Sequence, residues 1–326
     1  MRLASCFPPQ AARQSSMCHR GLLVALALVL AGCAAARPAP LPGIAKGAAA
    51  LEEASLEAWL AGDPEQALEL EEEALRLWRR IDAAQHVAAA LNRSGGLRLA
   101  LGHSQDAHRD FREARALARE VGDARAEAAA LNNLGRWAVG SGDSERARTL
   151  FTDARALASQ AGAEAVEASA LGNLAHLAWL EGEREQAREF LDQALKRARA
   201  AGDASLEARQ LRNLAVLDLA EADPMAAIAR LEKAHTLDRA HEDVLAIARD
   251  LELLSDARHA AGGAEARAIG ERRRAWEILR QFPDRQRAEH CRRVIEAWCE
   301  AEQGTERPVE CEFPQEPPVS QRNGNG

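Results

Sequence analysis

The 326-residue chain has no tyrosine, and aromatic residues make up only 4% of it. Valine and isoleucine are sparse, and no stretch alternates polar with apolar residues, so neither an all-β nor an α/β fold is expected. Catalytic signatures are missing too. There is no GxSxG, HExxH, Walker loop or CxxC, the short patterns that place a nucleophile, a zinc ion or a phosphate. His103 and His108 lie off a common helical face, and His235 and His241 are no better placed to share a metal. His290 would point about 100° away from its neighbour Cys291 on a helix, so the two do not form a base–nucleophile pair. Acidic runs such as Glu71-Glu72-Glu73 come without a matching base and read as solvated helix faces. No cofactor, metal or catalytic residue is therefore expected. Basic charge is short as well, with 42 Lys and Arg against 50 Asp and Glu and a net charge of −8. Nucleic-acid binders need a basic footprint. The basic clusters here, such as Arg272-Arg273-Arg274, sit among acids, so nucleic acid is not an expected partner.

What the chain does have is alanine, leucine, glutamate and arginine, a helix-forming mixture. Its N-terminus stands apart. Gly21 to Cys33 reads GLLVALALVLAGC, preceded by Arg13 and Arg20. An apolar run of roughly a dozen residues is too short to span a bilayer and fits a secretory signal. Its end, Leu30-Ala31-Gly32-Cys33, resembles the bacterial lipobox. That resemblance implies cleavage after residue 32 and a lipid on Cys33. Ala34 in the following position, rather than Asp, resembles lipoproteins sorted to the outer membrane of a diderm bacterium. The start is Met1 or Met17. Residues 1–32 carry three arginines and no acid, so their removal takes the net charge from −8 to −11. A bacterial anchor carries several acyl chains, and each buried CH₂ contributes about 0.8 kcal/mol. Residues 33–46, rich in proline and alanine, read as an extended tether. No later stretch is long and apolar enough to cross a membrane.

LNNLG at Leu131, LGNLA at Leu171 and LRNLA at Leu211 begin 40 residues apart. Rows of 40 align the rest. Slot 1 is Leu51, Leu91, Leu131, Leu171, Leu211 and Leu251. Slot 12 is Gly62, Gly102, Gly142, Gly182, Ala222 and Gly262. Slots 17 and 24 carry Ala147 and Ala154 with their counterparts. A period of this size signals a stacked array. Leu131, Leu134, Gly135 and Ala138 share one helical face, and Gly142-Asp143 ends that helix and caps the next. Each unit is thus two antiparallel helices of roughly 17 residues that bury their faces only by stacking. Slot 5 (Gly95, Gly135, Ala175, Ala215) is small enough for a neighbouring helix to approach. The end units depart from the pattern, as terminal repeats must.

Leu134-Gly135, Ala147, Phe151 and Ala154, with their counterparts, resemble the tetratricopeptide repeat. The longer unit and its LxNLA phrase resemble the repeats of kinesin light chains and of bacterial peptide-sensing regulators. The resemblance covers residues 47–282. It implies an all-α fold, a right-handed superhelical solenoid of antiparallel helix pairs whose first helices line a concave side. After Phe282-Pro283, residues 283–303 read as a capping helix with Cys291, Val294, Ile295 and Trp298 on one face. Residues 304–326 read as a disordered tail. Cys291 and Cys299 lie about 12 Å apart on one helix, too far for a bridge. Cys311 must then be one partner of any disulfide, and it returns more easily to Cys299 than to Cys291.

Asn at slot 3 costs roughly half a kcal/mol against Ala in a helix. Its recurrence at Asn133, Asn173 and Asn213 suggests a gain in each copy. An amide offers both a donor and an acceptor, and the resemblance implies that it could pair with the backbone of a bound peptide. The alternative is a bond to a backbone group of the next repeat. Asn92, Asn132 and Arg212 at slot 2, and Arg136 and His176 at slot 6, would share the concave region and suit a peptide or an acidic segment. The expected function is a non-catalytic scaffold, lipid-anchored at the outer membrane facing the periplasm, with a protein or peptide partner. An assembly factor for a secretion channel or type IV pilus, and a periplasmic enzyme with an unrecognised site, stand as rivals. The sequence leaves the partner, the pathway and the oligomeric state open.

Overall fold

An aspartate caps six of the thirteen described helices and shows why those six begin where they do. In Asp63, Asp123, Asp143, Asp203, Asp223 and Asp243 the side chain accepts the backbone N–H three residues on, at 2.9–3.1 Å. That bond satisfies one of the donors a helix start leaves open. Glycine ends the preceding helix. Gly142 has φ +80 and makes the left-handed turn that a side chain resists, and Ala222 is forced into the same turn at φ +61.

The computed structural model describes residues 42–262, 265–282, 285–301 and Cys311. Six antiparallel pairs follow one another: α1 (Pro42–Leu60) with α2 (Pro64–Arg80), α3 (Ala84–Ala100) with α4 (Ser104–Val121), and α5 (Ala124–Gly140) with α6 (Ser144–Gln160). Then come α7 (Glu164–Leu180) with α8 (Arg184–Ala201), α9 (Ala204–Ala220) with α10 (Pro224–Ala240), and α11 (Val244–Ala261) with α12 (Glu265–Leu279). A last helix, α13 (Arg285–Ala301), covers the sixth pair. No strand occurs among the described residues. None of these helices is long and apolar enough to cross a membrane. The solenoid expected from the period is the fold. One boundary moves: α1 begins at Pro42, so the last five residues of the expected tether are helical. Proline suits the first helical turn, where no N–H is needed, and Ala48 is already fully buried. Cys33, the signal segment and the tail other than Cys311 lie outside the described residues.

The slot-1 leucines from Leu91 to Leu251 are at most 3% exposed, and burying each contributes about 1.5–3 kcal/mol. Volume is matched between slots 5 and 21. Phe111 and Phe151 lie against Gly95 and Gly135 so closely that a Cβ at either glycine would collide with the ring. Where slot 5 is alanine, slot 21 is leucine: Ala175 packs with Leu191 and Ala215 with Leu231. In the end pairs both slots turn polar, as Ser55 with Glu71 and Ser255 with Glu271. Arg93 holds the buried Glu71 through both carboxylate oxygens, and Arg258 does the same for Glu271.

At the C-terminal end, Cys291 and Ile295 of α13 join Leu251, Ile269, Trp276 and Leu279 in one core cluster. Cys299 and Cys311 are disulfide-bonded with Cα atoms 6.1 Å apart, the pairing that reach along the chain favours. The Cys291 thiol is pushed up to about 12 by burial and by the neighbouring Glu252, so it stays protonated at neutral pH. Beyond α12, the Phe282 ring packs directly on Gly62, in the turn between α1 and α2. The far end of the stack thereby meets its beginning.

Candidate functional site

Successive odd-numbered helices pack on one another more closely than successive even-numbered ones do. The odd helices therefore lie on the inside of the curve and line its concave side. They bring the asparagines of the repeat together, but in an arrangement that neither sequence alternative described. Asn173 donates from Nδ2 to Oδ1 of Asn132 at 2.9 Å, and Asn133 donates to Oδ1 of Asn92 at 3.5 Å. Asn92 in turn donates to the backbone carbonyl of Ala126 at 3.4 Å. The slot-3 amides of Asn133 and Asn173 thus reach a slot-2 side chain of the preceding repeat, not a backbone group of the next. The rung exists in ionic form one repeat earlier, where Arg93 pairs with Glu52.

The ladder stops at Gly172. Slot 2 there has no side chain, so Asn213 has no counterpart to bond. Beside the gap lies a cavity of about 340 Å³, walled by Ala175, Trp179, Leu191 and Leu217, with Asn213 and His176 at its rim. A second cavity, of about 530 Å³, is bounded by Asn132 and Asn133 of α5, Ser169 of α7 and Arg209 of α9. Trp59, at the end of α1, closes its far side.

Three arginines give this surface its charge. Arg136, Arg209 and Arg249 are exposed to water at their surfaces yet crowded by the inward-facing helices. Desolvation holds each guanidinium below its usual range. For Arg209 the value is about 10, with Arg136 adding repulsion and Asp203 opposing it. All three stay charged at neutral pH. Among the described residues Arg209 bonds only the Ser169 hydroxyl, at 3.1 Å, and Arg136 only Oδ1 of Asn133, at 3.5 Å. Neither bond supplies a negative charge.

Arg212 belongs to a different arrangement from the one its slot suggested. Its guanidinium lies between Asp238 and Asp250, both at most 1% exposed. Burial alone would lower its pKa, but the two carboxylates outweigh that and raise it. Its charge is thus neutralised within the fold. His235 Nδ1 faces Asp250 Oδ2 at 3.7 Å, and neither atom has a hydrogen-bond partner. Of the expected binding residues, Asn133, Arg136, Asn173, His176 and Asn213 share the concave side. Asn92 and Asn132 are buried beneath as the acceptors of the ladder. Arg209, Arg249 and Gln210 also line the first cavity, with no repeat signal in the sequence to mark them.

The gap separates two asparagines of identical sequence phrase. Asn173→Ala is expected to lose about 0.5–1.5 kcal/mol with its bond to Asn132. Asn213→Ala should be neutral or slightly stabilising, because Ala is the better helix former. Thermal melts of the two single variants check this; equal losses would mean that Asn213 has a partner in the fold.

No protein-family model matches the sequence, and no curated protein sequence matches it. Solved structures do match in fold. BtubC (BKLC) from P. vanneervenii is 19% identical over 79% of this chain and 94% of its own, with a TM-score of 0.48. A signal transduction ATPase with numerous domains and a tetratricopeptide repeat sensor, from Pyrococcus horikoshii, is 16% identical over 78% of this chain and 39% of its own, with a TM-score of 0.52. A Rap protein complexed with Competence and Sporulation Factor is 12% identical over 77% of this chain and 74% of its own, with a TM-score of 0.55. The fold is thus the tetratricopeptide-like helical solenoid.

Proposed function

We propose that this chain is a non-catalytic scaffold that holds an extended, acidic segment of a partner protein along its concave face. The observation that carries this reading is the set of charged guanidinium groups of Arg136, Arg209 and Arg249, none of them in an ion pair among the described residues, on the inner helices of a chain whose net charge is −8. A concave wall of one sign focuses its field on a ligand of the other sign. An acidic segment would also restore the electrostatic solvation that crowding removes from the three arginines. The Rap protein of similar fold was solved with a bound factor, in keeping with a binding role. The same proposal has the solenoid tethered through lipidated Cys33 to the periplasmic side of the outer membrane. Its support is the Leu30–Cys33 sequence.

Arg136→Gln, Arg209→Gln and Arg249→Gln are each expected to weaken capture of a Glu-rich peptide by about tenfold or more, since a charge-assisted bond contributes about 1.5–3 kcal/mol. Raised salt should weaken the wild-type interaction in the same direction. Fluorescence anisotropy with a labelled peptide reads both effects, and wild-type affinity in all three variants would refute the groove. Cell fractionation of Cys33→Ser tests the tether. That form should leave the membrane fraction or remain unprocessed, and normal processing with lipid labelling would rule the anchor out.

A further inference from the structure

We propose that the cavity opened by Gly172 is a selectivity pocket that takes one apolar side chain of the bound acidic segment. The proposal rests on the groove reading above and adds a position within it. Slots 2 and 3 make a rung between the second and third repeats and another between the third and fourth, and at Gly172 the next rung is lost. Its absence leaves about 340 Å³ between α7 and α9. Ala175, Trp179, Leu191 and Leu217 make the walls apolar, and Arg209 and Arg249 stand at the rim.

An independent feature marks the space as built for a ligand. Gln210 is only 1% exposed, and its Oε1 has no hydrogen-bond partner. That oxygen lies 2.8 Å from where a Cβ on Gly172 would sit, so it is aimed at the gap. A buried acceptor left unmatched is unfavourable until a donor reaches it. An extended peptide supplies such a donor in its N–H groups. The chemistry that fits all three features is a segment with one apolar side chain in the cavity, an N–H on Gln210 Oε1, and flanking carboxylates toward Arg209 and Arg249.

The test uses the full chain and labelled, end-blocked peptides of Glu and Ser carrying a single central Leu, Phe or Ser. Wild type should bind the Leu and Phe peptides roughly tenfold or more tighter than the Ser peptide, as burial of an apolar side chain requires. Gly172→Asn offers Asn213 the missing carbonyl and narrows the cavity from the Gly172 side, where the new Cβ would meet the flexible end of Gln210. It should abolish the preference without lowering the melting temperature. Val216→Glu places an acid at the exposed mouth without touching the core, and should abolish the preference even if Gly172→Asn fails to fold. If every acidic peptide binds equally well, the pocket is overturned while the groove stands. If the preference survives in either folded variant, the apolar site lies elsewhere and the pocket is overturned. If no acidic peptide binds, the groove and the pocket fall together.

Discussion

Phe151→Ala is expected to cost about 3–5 kcal/mol, the range for removing a buried aromatic ring that its surroundings cannot replace. The ring is 1% exposed and fills the space that Gly135 leaves open. Gly135→Ala alone should also destabilise. It gains up to about 1 kcal/mol of helix propensity but loses about 1–3 kcal/mol to the collision with Phe151. Joining Gly135→Ala with Phe151→Leu rebuilds the Ala175–Leu191 pair found one repeat later, and the double variant should return close to wild type. Denaturant melts of the cycle should give a coupling of about 1 kcal/mol or more. Strictly additive losses would show that the two slots are filled independently and that their matching across repeats is coincidental.

Arg212→Met should cost about 3–5 kcal/mol at neutral pH, because it leaves two buried carboxylates without their counter-charge. The effect should be smaller in acid. Burial pushes the Asp238 carboxyl up to about 6, Arg212 opposes that shift, and Asp250 adds to it. A folded-state value above the unfolded one means that the folded chain holds the proton more tightly. The contribution of Asp238 is therefore fully present below the ordinary carboxylate range and is lost as pH rises through about 6. Removing Arg212 removes the opposing influence and strengthens this dependence. Melting the variant and wild type at about pH 5 and about pH 7 separates the outcomes. A deficit that is the same at both values would mean that Asp238 does not titrate there.

Most of the fold was legible because the features that build it repeat. Slot-1 leucines and slot-12 glycines recur at one interval, the capping aspartates fall at two slots of the same row, and local chemistry is enough to interpret them. The ladder was harder to see. The partner of Asn173 sits 41 residues earlier, at Asn132, and following a single helix face never compares slot 3 with slot 2 of the previous row. Two of the three groove arginines were missed for the opposite reason. Arg209 and Arg249 occupy the slot where earlier copies have Ala129 and Ser169, so they appear as departures from the repeat. Arg212 was assigned to the concave surface from its slot alone. Its two aspartates come from the helices α10 and α11, and no periodicity within its own helix announces them.

A linear row of repeats can be described by statistical mechanics as a chain of nearest neighbours, which loosens from its tips inward. The Phe282–Gly62 contact alters that description, because it links the first unit to the last. Neither tip can melt without also depriving the other of a neighbour. The array then departs from a strictly open chain by one side-chain link, which removes some partly melted states in which a single tip has loosened.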